Sequence, residues 1–166
     1  MIPLKERKLL FYAHVQTHIT YLNIVWQNSP DYVVSKIIVT LNKFMRMIFW
    51  EQYLNPSTRT LDLYKNNAIL NFNQIKFFES VLFVYKIKNN LVKSNVMLQT
   101  NLNVHRYETR GALNLRTMVP RTNYVRYGCL FSSIVNFNNL PRELQTIMPL
   151  FKFKNELKKY VLTNVN

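Results

Sequence analysis

Glycine and cysteine are scarce in this chain, and each shortage excludes a class of protein. Gly111 and Gly128 are the only glycines among the 166 residues, so neither a glycine-rich phosphate loop nor a dinucleotide-binding fingerprint can be written. Cys129 is the sole cysteine and permits no internal disulfide. The three histidines, with this one cysteine, show no zinc-finger spacing.

Acidic residues are also few, with 8 Asp and Glu against 22 Lys and Arg and a formal net charge of +14. Asp31 and Asp62 are the only aspartates, and no acidic pair occurs. A carboxylate-held magnesium site would therefore have to draw on isolated residues. A metal-dependent nuclease or transferase stays open only if carboxylates from distant parts of the chain converge. We predict no metal and no cofactor.

Long apolar runs are missing as well. No stretch approaches 18 uncharged apolar residues, and the region before Leu9 is charged and does not resemble a secretory signal. We expect a chain that is not secreted, has an intracellular location (nuclear or cytoplasmic), and has neither a membrane nor a small molecule as partner. The lysine-rich C-terminal segment could lie on an anionic membrane, but a solvated helix face explains its charges as well.

What the chain does have is enough apolar material for a core, with 48% hydrophobic and 14% aromatic residues. That composition excludes a disordered basic tail. The charge is unevenly spread, because residues 1–83 contain nine basic and five acidic side chains, whereas residues 84–166 contain thirteen basic and three acidic ones. The composition predicts a folded, strongly basic protein.

Apolar spacing predicts a mainly α fold. The clearest helix should begin after Ser29 as N-cap and Pro30 as first helical residue, with Asp31 complementing the helix dipole. Its stripe follows helical spacing over about five turns: Val34, Ile37, Ile38, Leu41, Phe44, Met45 and Ile48. The other predicted helices are 3–22, 61–68, one capped by Asn71 or Asn73 and ending at 89–90, a short one opened by Pro141, and 150–162.

We divide the chain into three segments. These are a small helical bundle (1–92), a basic and largely irregular Arg/Tyr-rich segment (93–139), and a C-terminal helical segment (140–166). The last helix should bury Leu150, Phe153, Leu157 and the pair Tyr160–Val161 on one face.

The middle segment interleaves guanidinium groups with phenol rings. Arginine side chains can donate paired hydrogen bonds to phosphate oxygens, and tyrosine rings can stack on unpaired bases. This combination therefore favours nucleic-acid binding. The alternative is a solvated basic loop whose tyrosines pack into the helical core. The candidate nucleic-acid-binding residues are Arg106, Tyr107, Arg110, Arg116, Arg121, Tyr124 and Arg126.

Three other features have ordinary interpretations. His14 and His18 are four residues apart, a spacing that can bind zinc, but a packed or solvent-facing pair is the favoured interpretation. Cys129 is expected to be a buried small hydrophobic residue and not a nucleophile. Trp26 and Trp50 are expected to anchor the core or helix ends.

Six motifs, in this order and spacing, resemble the region that follows the polymerase core in reverse transcriptases of non-LTR retrotransposons, most closely the jockey-like insect elements. They are Leu9–Tyr21 with Trp26, Leu41–Ile48, Leu63–Tyr64 with Ile69–Ile75, His105-x-Tyr107-x-Thr109-Arg110, Asn138–Pro141, and Phe151–Tyr160. Three positions depart from the family pattern: Leu22 and a serine near Ser133 replace glycines, and Phe137 replaces a tryptophan.

The resemblance implies the C-terminal, post-palm part of an RNA-directed DNA polymerase, whose partners are template RNA or target DNA and the upstream polymerase domain. The catalytic aspartates of the family lie upstream, and nothing here matches a Tyr-x-Asp-Asp loop. The chain is therefore expected to be inactive alone. The alternatives are a structural docking subdomain of the polymerase without nucleic-acid contact, and a regulatory binder adopted by the host.

Overall fold

Helices account for most of the structure, a computed structural model that describes residues 2–21, 23–55, 57–105, 108–117, 121–122 and 128–165. The mainly α prediction is confirmed. The helices are α1 (Leu4–Leu10), a π-helical segment (Phe11–Gln16), α2 (Thr17–Thr20), α3 (Asn23–Trp26), α4 (Asp31–Ile48), α5 (Trp50–Tyr53), α6 (Thr60–Asn66), α7 (Phe72–Lys88), α8 (Asn101–His105), α9 (Cys129–Asn138), α10 (Arg142–Gln145) and α11 (Leu150–Asn164). Within the described ranges there is no strand, and one isolated bridge pairs Thr100 with Leu115.

The chain forms two compact units. The first comprises Met1–Lys76 and Tyr160–Asn166, and the second comprises Phe77–Lys159. Each has buried apolar side chains of its own. The predicted division into three segments stays a prediction.

In the first unit, α4 packs against α1, α5 and α6. Leu41, Met45 and Ile48 are buried, as the predicted stripe requires. The guanidinium of Arg7 donates to the Ile48 carbonyl at 2.6 Å and to Glu51 Oε1 at 2.8 Å. A cation is thereby placed on the negative, carbonyl end of α4.

The N-terminal end of α4 differs from the prediction. Pro30 is the N-cap, because its carbonyl accepts from the amides of Val33 and Val34, and no side chain caps this end. Ser29 instead donates its hydroxyl to the Trp26 carbonyl at 2.6 Å. The serine therefore closes the turn after α3, a local bond that competes with capping.

The N-terminal end of α7 agrees with the prediction. Asn71 Oδ1 accepts from the Gln74 amide at 2.9 Å, while Gln74 Oε1 accepts from the Asn71 amide at 3.0 Å. This is a reciprocal capping box. Trp26 is a helix-end anchor, as expected, since its ring lies 5.9 Å from that of Phe72 and its Nε1 donates to the Tyr21 carbonyl.

The second unit has its core around Tyr85 and Phe153, whose rings stack with centroids 3.9 Å apart. Phe153 and Leu157 on α11 are fully buried, which confirms the predicted face of the last helix within this unit. The Tyr85 hydroxyl donates to the Ile147 carbonyl at 3.0 Å, and burial raises the pKa of Tyr85. A buried phenol is stable here because its polar end is hydrogen-bonded.

Two of the described helices lie in the segment that we expected to be largely irregular: α8 and α9. In α9, Ile134 and Phe137 are buried, and this packing outweighs the weak helix propensity of its serines, asparagines and β-branched residues. Ser133 is fully buried and donates to the Cys129 carbonyl at 2.6 Å. Cys129, predicted to be buried, is only half-buried at the start of α9.

Candidate nucleic-acid interface

The structure describes three of the seven predicted binding residues. Arg110, Arg116 and Arg121 are all exposed. The remaining four lie outside the described residues: Arg106, Tyr107, Tyr124 and Arg126.

Arg116 lies on a loop that folds back on itself. Its amide donates to the Gln99 carbonyl at 2.8 Å, and the Asn101 amide donates to the Asn114 carbonyl at 2.9 Å. Asn101 Nδ2 also donates to the Gly111 carbonyl at 3.0 Å. Arg110 lies on the turn between the two sides of this loop, whereas Arg116 lies on the returning side.

A side chain from α9 holds this loop. Asn138 Oδ1 accepts from the Leu115 amide and its Nδ2 donates to the Leu115 carbonyl, both at 2.9 Å. A carboxamide has one donor side and one acceptor side, so it can satisfy both groups of one residue as a neighbouring strand would. Leu115 is buried, and Arg116 follows it directly on the surface.

Arg142, at the start of α10, contacts the same loop. Its Nη2 donates to Asn114 Oδ1 at 2.6 Å, and its Nη1 donates to Gln145 Oε1 at 3.3 Å. Gln145 is buried and donates to the Leu140 carbonyl at 2.8 Å. Both acceptors of the guanidinium are neutral amides, so the arginine is oriented while its positive charge is not cancelled by these contacts.

Lys88, at the end of α7, brings a second cation to this place. Its Nζ lies 5.3 Å from the centroid of the Phe137 ring. Partial desolvation and, after it, the positive charge of Arg142 lower the pKa of Lys88. The two cations therefore repel each other in the absence of a ligand. Arg116 is exposed on the loop whose Asn114 accepts from Arg142, and we call Lys88, Arg142 and this loop arginine the basic cluster.

The basic cluster can bind an anion with several oxygens. Arginine supplies a planar fork of donors and lysine a compact charge, which together suit phosphate. Of the three cations, Arg116 was among the predicted nucleic-acid-binding residues, whereas Lys88 and Arg142 were not. Asn138 was noticed only as part of the Asn-Asn-Leu-Pro turn. The three cations form no pattern of regular spacing in the sequence, because they lie at a helix end, on a loop and on a short helix.

The histidine pair does not form a metal site with other described ligands. His14 and His18 are both exposed, and the described ranges contain no group of three His, Cys, Asp or Glu side chains that could hold a metal ion. On α11, Lys152, Lys158 and Lys159 are exposed, and Lys159 pairs with Glu156 at 2.8 Å. None of the helices in the described ranges is long and apolar enough to cross a membrane.

The basic cluster is the strongest candidate because Arg142 is hydrogen-bonded to a loop that neutral side chains hold in place, and its charge acts on Lys88 at the end of α7. The predicted arginines at 110 and 121 are exposed. Comparison with protein-family models, with curated proteins and with solved structures finds no match to this chain. The assignment of the site therefore rests on its own geometry and charge.

Proposed function

We propose that this chain is a nucleic-acid-contacting C-terminal segment of a retroelement reverse transcriptase. In this proposal it binds template RNA or target DNA beside the upstream polymerase domain, in the nucleus or the cytoplasm, and it has no active site of its own. Six motifs in family order support the assignment, as does the charge of +14. The family assignment and the binding function are separable, and the experiment below tests the binding function.

The observation that carries the proposal is the convergence of Lys88 and Arg142 on one loop. Arg142 donates to Asn114 Oδ1 on that loop at 2.6 Å. Lys88 Nζ lies 5.3 Å from the centroid of the Phe137 ring, one residue before the Asn138 that holds the loop. Desolvation and, after it, the charge of Arg142 lower the pKa of Lys88. A phosphate bound between these cations would lessen their repulsion, and groups with perturbed pKa values cluster at functional sites.

The support around the cluster matters as much as the charges. Asn138 bonds both backbone groups of Leu115, and Asn114 accepts from Arg142, so the loop and the arginine are positioned before any ligand arrives. Preorganisation of this kind reduces the entropy lost on binding. Lys152, by contrast, is an exposed lysine on the solvated face of α11.

The test is the salt dependence of binding to a fluorescent single-stranded RNA and a single-stranded DNA of equal length, followed by fluorescence anisotropy. Each neutralised phosphate contributes roughly 0.7 to the slope of log affinity against log salt on single strands. The triple variant Lys88→Gln, Arg116→Gln and Arg142→Gln should therefore lower the slope by roughly 2. Its affinity at low salt should fall by roughly a hundredfold if each contact contributes about 1 kcal/mol.

A matched control removes the same charge elsewhere. Lys43, Lys152 and Lys158 are exposed on α4 and α11, and their replacement by Gln should leave most of the affinity and slope unchanged. Equal losses in the two triple variants would show a diffuse charge effect and contradict the assigned site. Undetectable affinity for RNA and DNA at about 50 mM salt would contradict the binding function and favour the structural docking subdomain.

A further inference from the structure

The first unit contains an apolar groove that its own described residues leave open. It lies between the N-terminal helical region and α4 and has a volume of about 380 Å³. Its apolar lining consists of Val15, Ile19, Ile37, Leu41 and Phe44. That volume is within the range of ligand-binding clefts, roughly 300–1,000 Å³.

The groove exists because the apolar stripe of α4 is only partly covered. Leu41, Met45 and Ile48 are buried, whereas Ile37 is half-buried and Phe44 is 36% exposed. A helix face of this kind normally lies against another element. The N-terminal helical region faces this half of the stripe, and the groove lies between the two.

The backbone geometry of the opposite wall is unusual. His14 and Val15 belong to the π-helical segment Phe11–Gln16, which interrupts the helical run from Leu4 to Thr20. A π-helical turn is rare and is frequently found at functional sites. Here two of its residues, His14 and Val15, line the groove.

The polar residues at the rim of the groove are basic or can donate hydrogen bonds, and none of them is acidic. Lys36, His14 and His18 line the groove together with Thr40, and no carboxylate is among its lining residues. A basic rim beside an apolar floor is complementary to an apolar surface flanked by carboxylates. A second copy of the chain is a poor fit, because each copy has a formal charge of +14 and would present cations to cations.

The length of the groove indicates the form of its ligand. The lining residues of α4 run from Lys36 to Phe44, about 12 Å of helix rise or two turns. Two turns of a partner helix present apolar residues at positions i, i+3 or i+4, and i+7. We propose that this groove binds an acidic amphipathic helix of another polypeptide, with its apolar face on Ile37, Leu41 and Phe44 and its carboxylates toward Lys36 and the two histidines.

This proposal does not depend on nucleic-acid binding, and its test uses different probes. The full chain is titrated into a fluorescently labelled 16-residue helical peptide with leucines at i, i+3 and i+7 and glutamates beside them. Saturable binding at micromolar concentration is expected. A peptide with the same leucines and with lysines in place of the glutamates should bind at least tenfold more weakly, because its charges repel the rim.

Variants of the chain locate the site. Lys36→Glu should weaken binding of the acidic peptide by roughly fivefold to tenfold, as expected for reversal of a rim charge. Lys43→Glu on the same helix is the matched control, since Lys43 is exposed and does not line the groove, and it should change the affinity by less than about twofold. Circular dichroism confirms that both variants keep their helix content.

Three results of the peptide titrations would overturn the proposal. They are equal affinity for the acidic and lysine peptides, equal losses in the Lys36 and Lys43 variants, and no binding of the acidic peptide at millimolar concentration. Self-association that Phe44→Ala abolishes, measured by analytical ultracentrifugation, would assign the groove to a second copy and also overturn it. None of these results bears on the affinity for RNA or DNA.

Discussion

The two units use their long-range polar side chains at different places. In the first unit these side chains bind helix ends, as Arg7 does at the Ile48 carbonyl of α4 and Gln74 does at the Val165 carbonyl that follows α11. In the second they bind loop backbone, as Asn138 does at Leu115 and Tyr85 does at the Ile147 carbonyl. A unit with a loop that lacks helical hydrogen bonds must satisfy its backbone groups in this way.

Charge separates the two units further. The first contains nine basic and four acidic residues, and the second contains thirteen basic and four acidic ones. The apolar groove is in the unit with the smaller excess of positive charge, and the basic cluster is in the other. The comparison indicates that apolar recognition and anion recognition belong to separate parts of the chain.

The largest expected effect tests the apolar core of the second unit. Phe153→Ala should lower the free energy of unfolding by about 3–5 kcal/mol, because it removes a fully buried ring that stacks on Tyr85 at 3.9 Å. Chemical denaturation measures the change. Phe151→Ala on the same helix is the control, since Phe151 is 75% exposed, and it should change stability by less than about 0.5 kcal/mol.

If Phe153→Ala cost no more than the control, the second unit would depend on its polar bonds more than on its core. That result would deepen the contrast between the units. A loss within the expected range would instead show that the second unit needs a conventional apolar core beneath its polar contacts.

The next effect tests the polar bonds. Asn138→Ala should cost about 1–3 kcal/mol, because it leaves the amide and the carbonyl of Leu115 without their partner. It should also weaken nucleic-acid binding without removing any charge, since Arg116 follows Leu115 on the same loop. Denaturation and anisotropy measure the two effects, with the exposed neighbour variant Asn139→Ala as control. If Asn138→Ala left the affinity for nucleic acid unchanged, the loop would not be part of the binding site.

The smallest expected effect concerns Glu79, a carboxylate in the second unit. Desolvation raises the pKa of Glu79, and the nearby charges of Lys86 and Lys154 only partly offset this. A raised folded-state pKa means that ionisation of Glu79 costs stability, and the cost appears as pH rises from the ordinary glutamate range through the folded-state pKa. Glu79→Gln should therefore raise the melting temperature at pH 7 by roughly 2 °C.

The same variant should lose its advantage as pH falls below the ordinary glutamate range, because Glu79 is then protonated in both the folded and unfolded states. Thermal unfolding at several pH values measures the difference. Glu143→Gln, at an exposed site, is the control. A Glu79→Gln melting temperature below that of the parent chain at pH 7 would show that the two lysines outweigh desolvation.

Much of the helical architecture was predictable, because helices are local and their signals are local. The apolar spacing in α4 and α11 and the Asn71 cap all predicted what the structure shows. The errors occurred where a tertiary contact competes with a local preference. Ser29 bonds back to Trp26 in place of capping α4, and α9 forms despite weak propensity because Ile134 and Phe137 are buried.

The candidate site was predictable only in part. The excess of arginine in the middle segment predicted a binding region there, and Arg116 lies on the loop that Arg142 contacts; that these arginines bind nucleic acid stays a prediction. The roles of Lys88, Arg142 and Asn138 could not be predicted, because each is separated from the others by many residues and shows no motif of its own. The family assignment drawn from the six motifs stays a prediction.

The sequence by itself determined the helical class, the strong positive charge and the absence of a disulfide framework, since these follow from composition and from spacing along a single segment. Only the tertiary structure decided which cations lie together and which part of the α4 stripe stays uncovered. The physical reason is that periodicity acts over a few residues, whereas convergence of Lys88 and Arg142 depends on how separate segments pack around Phe137 and Leu115.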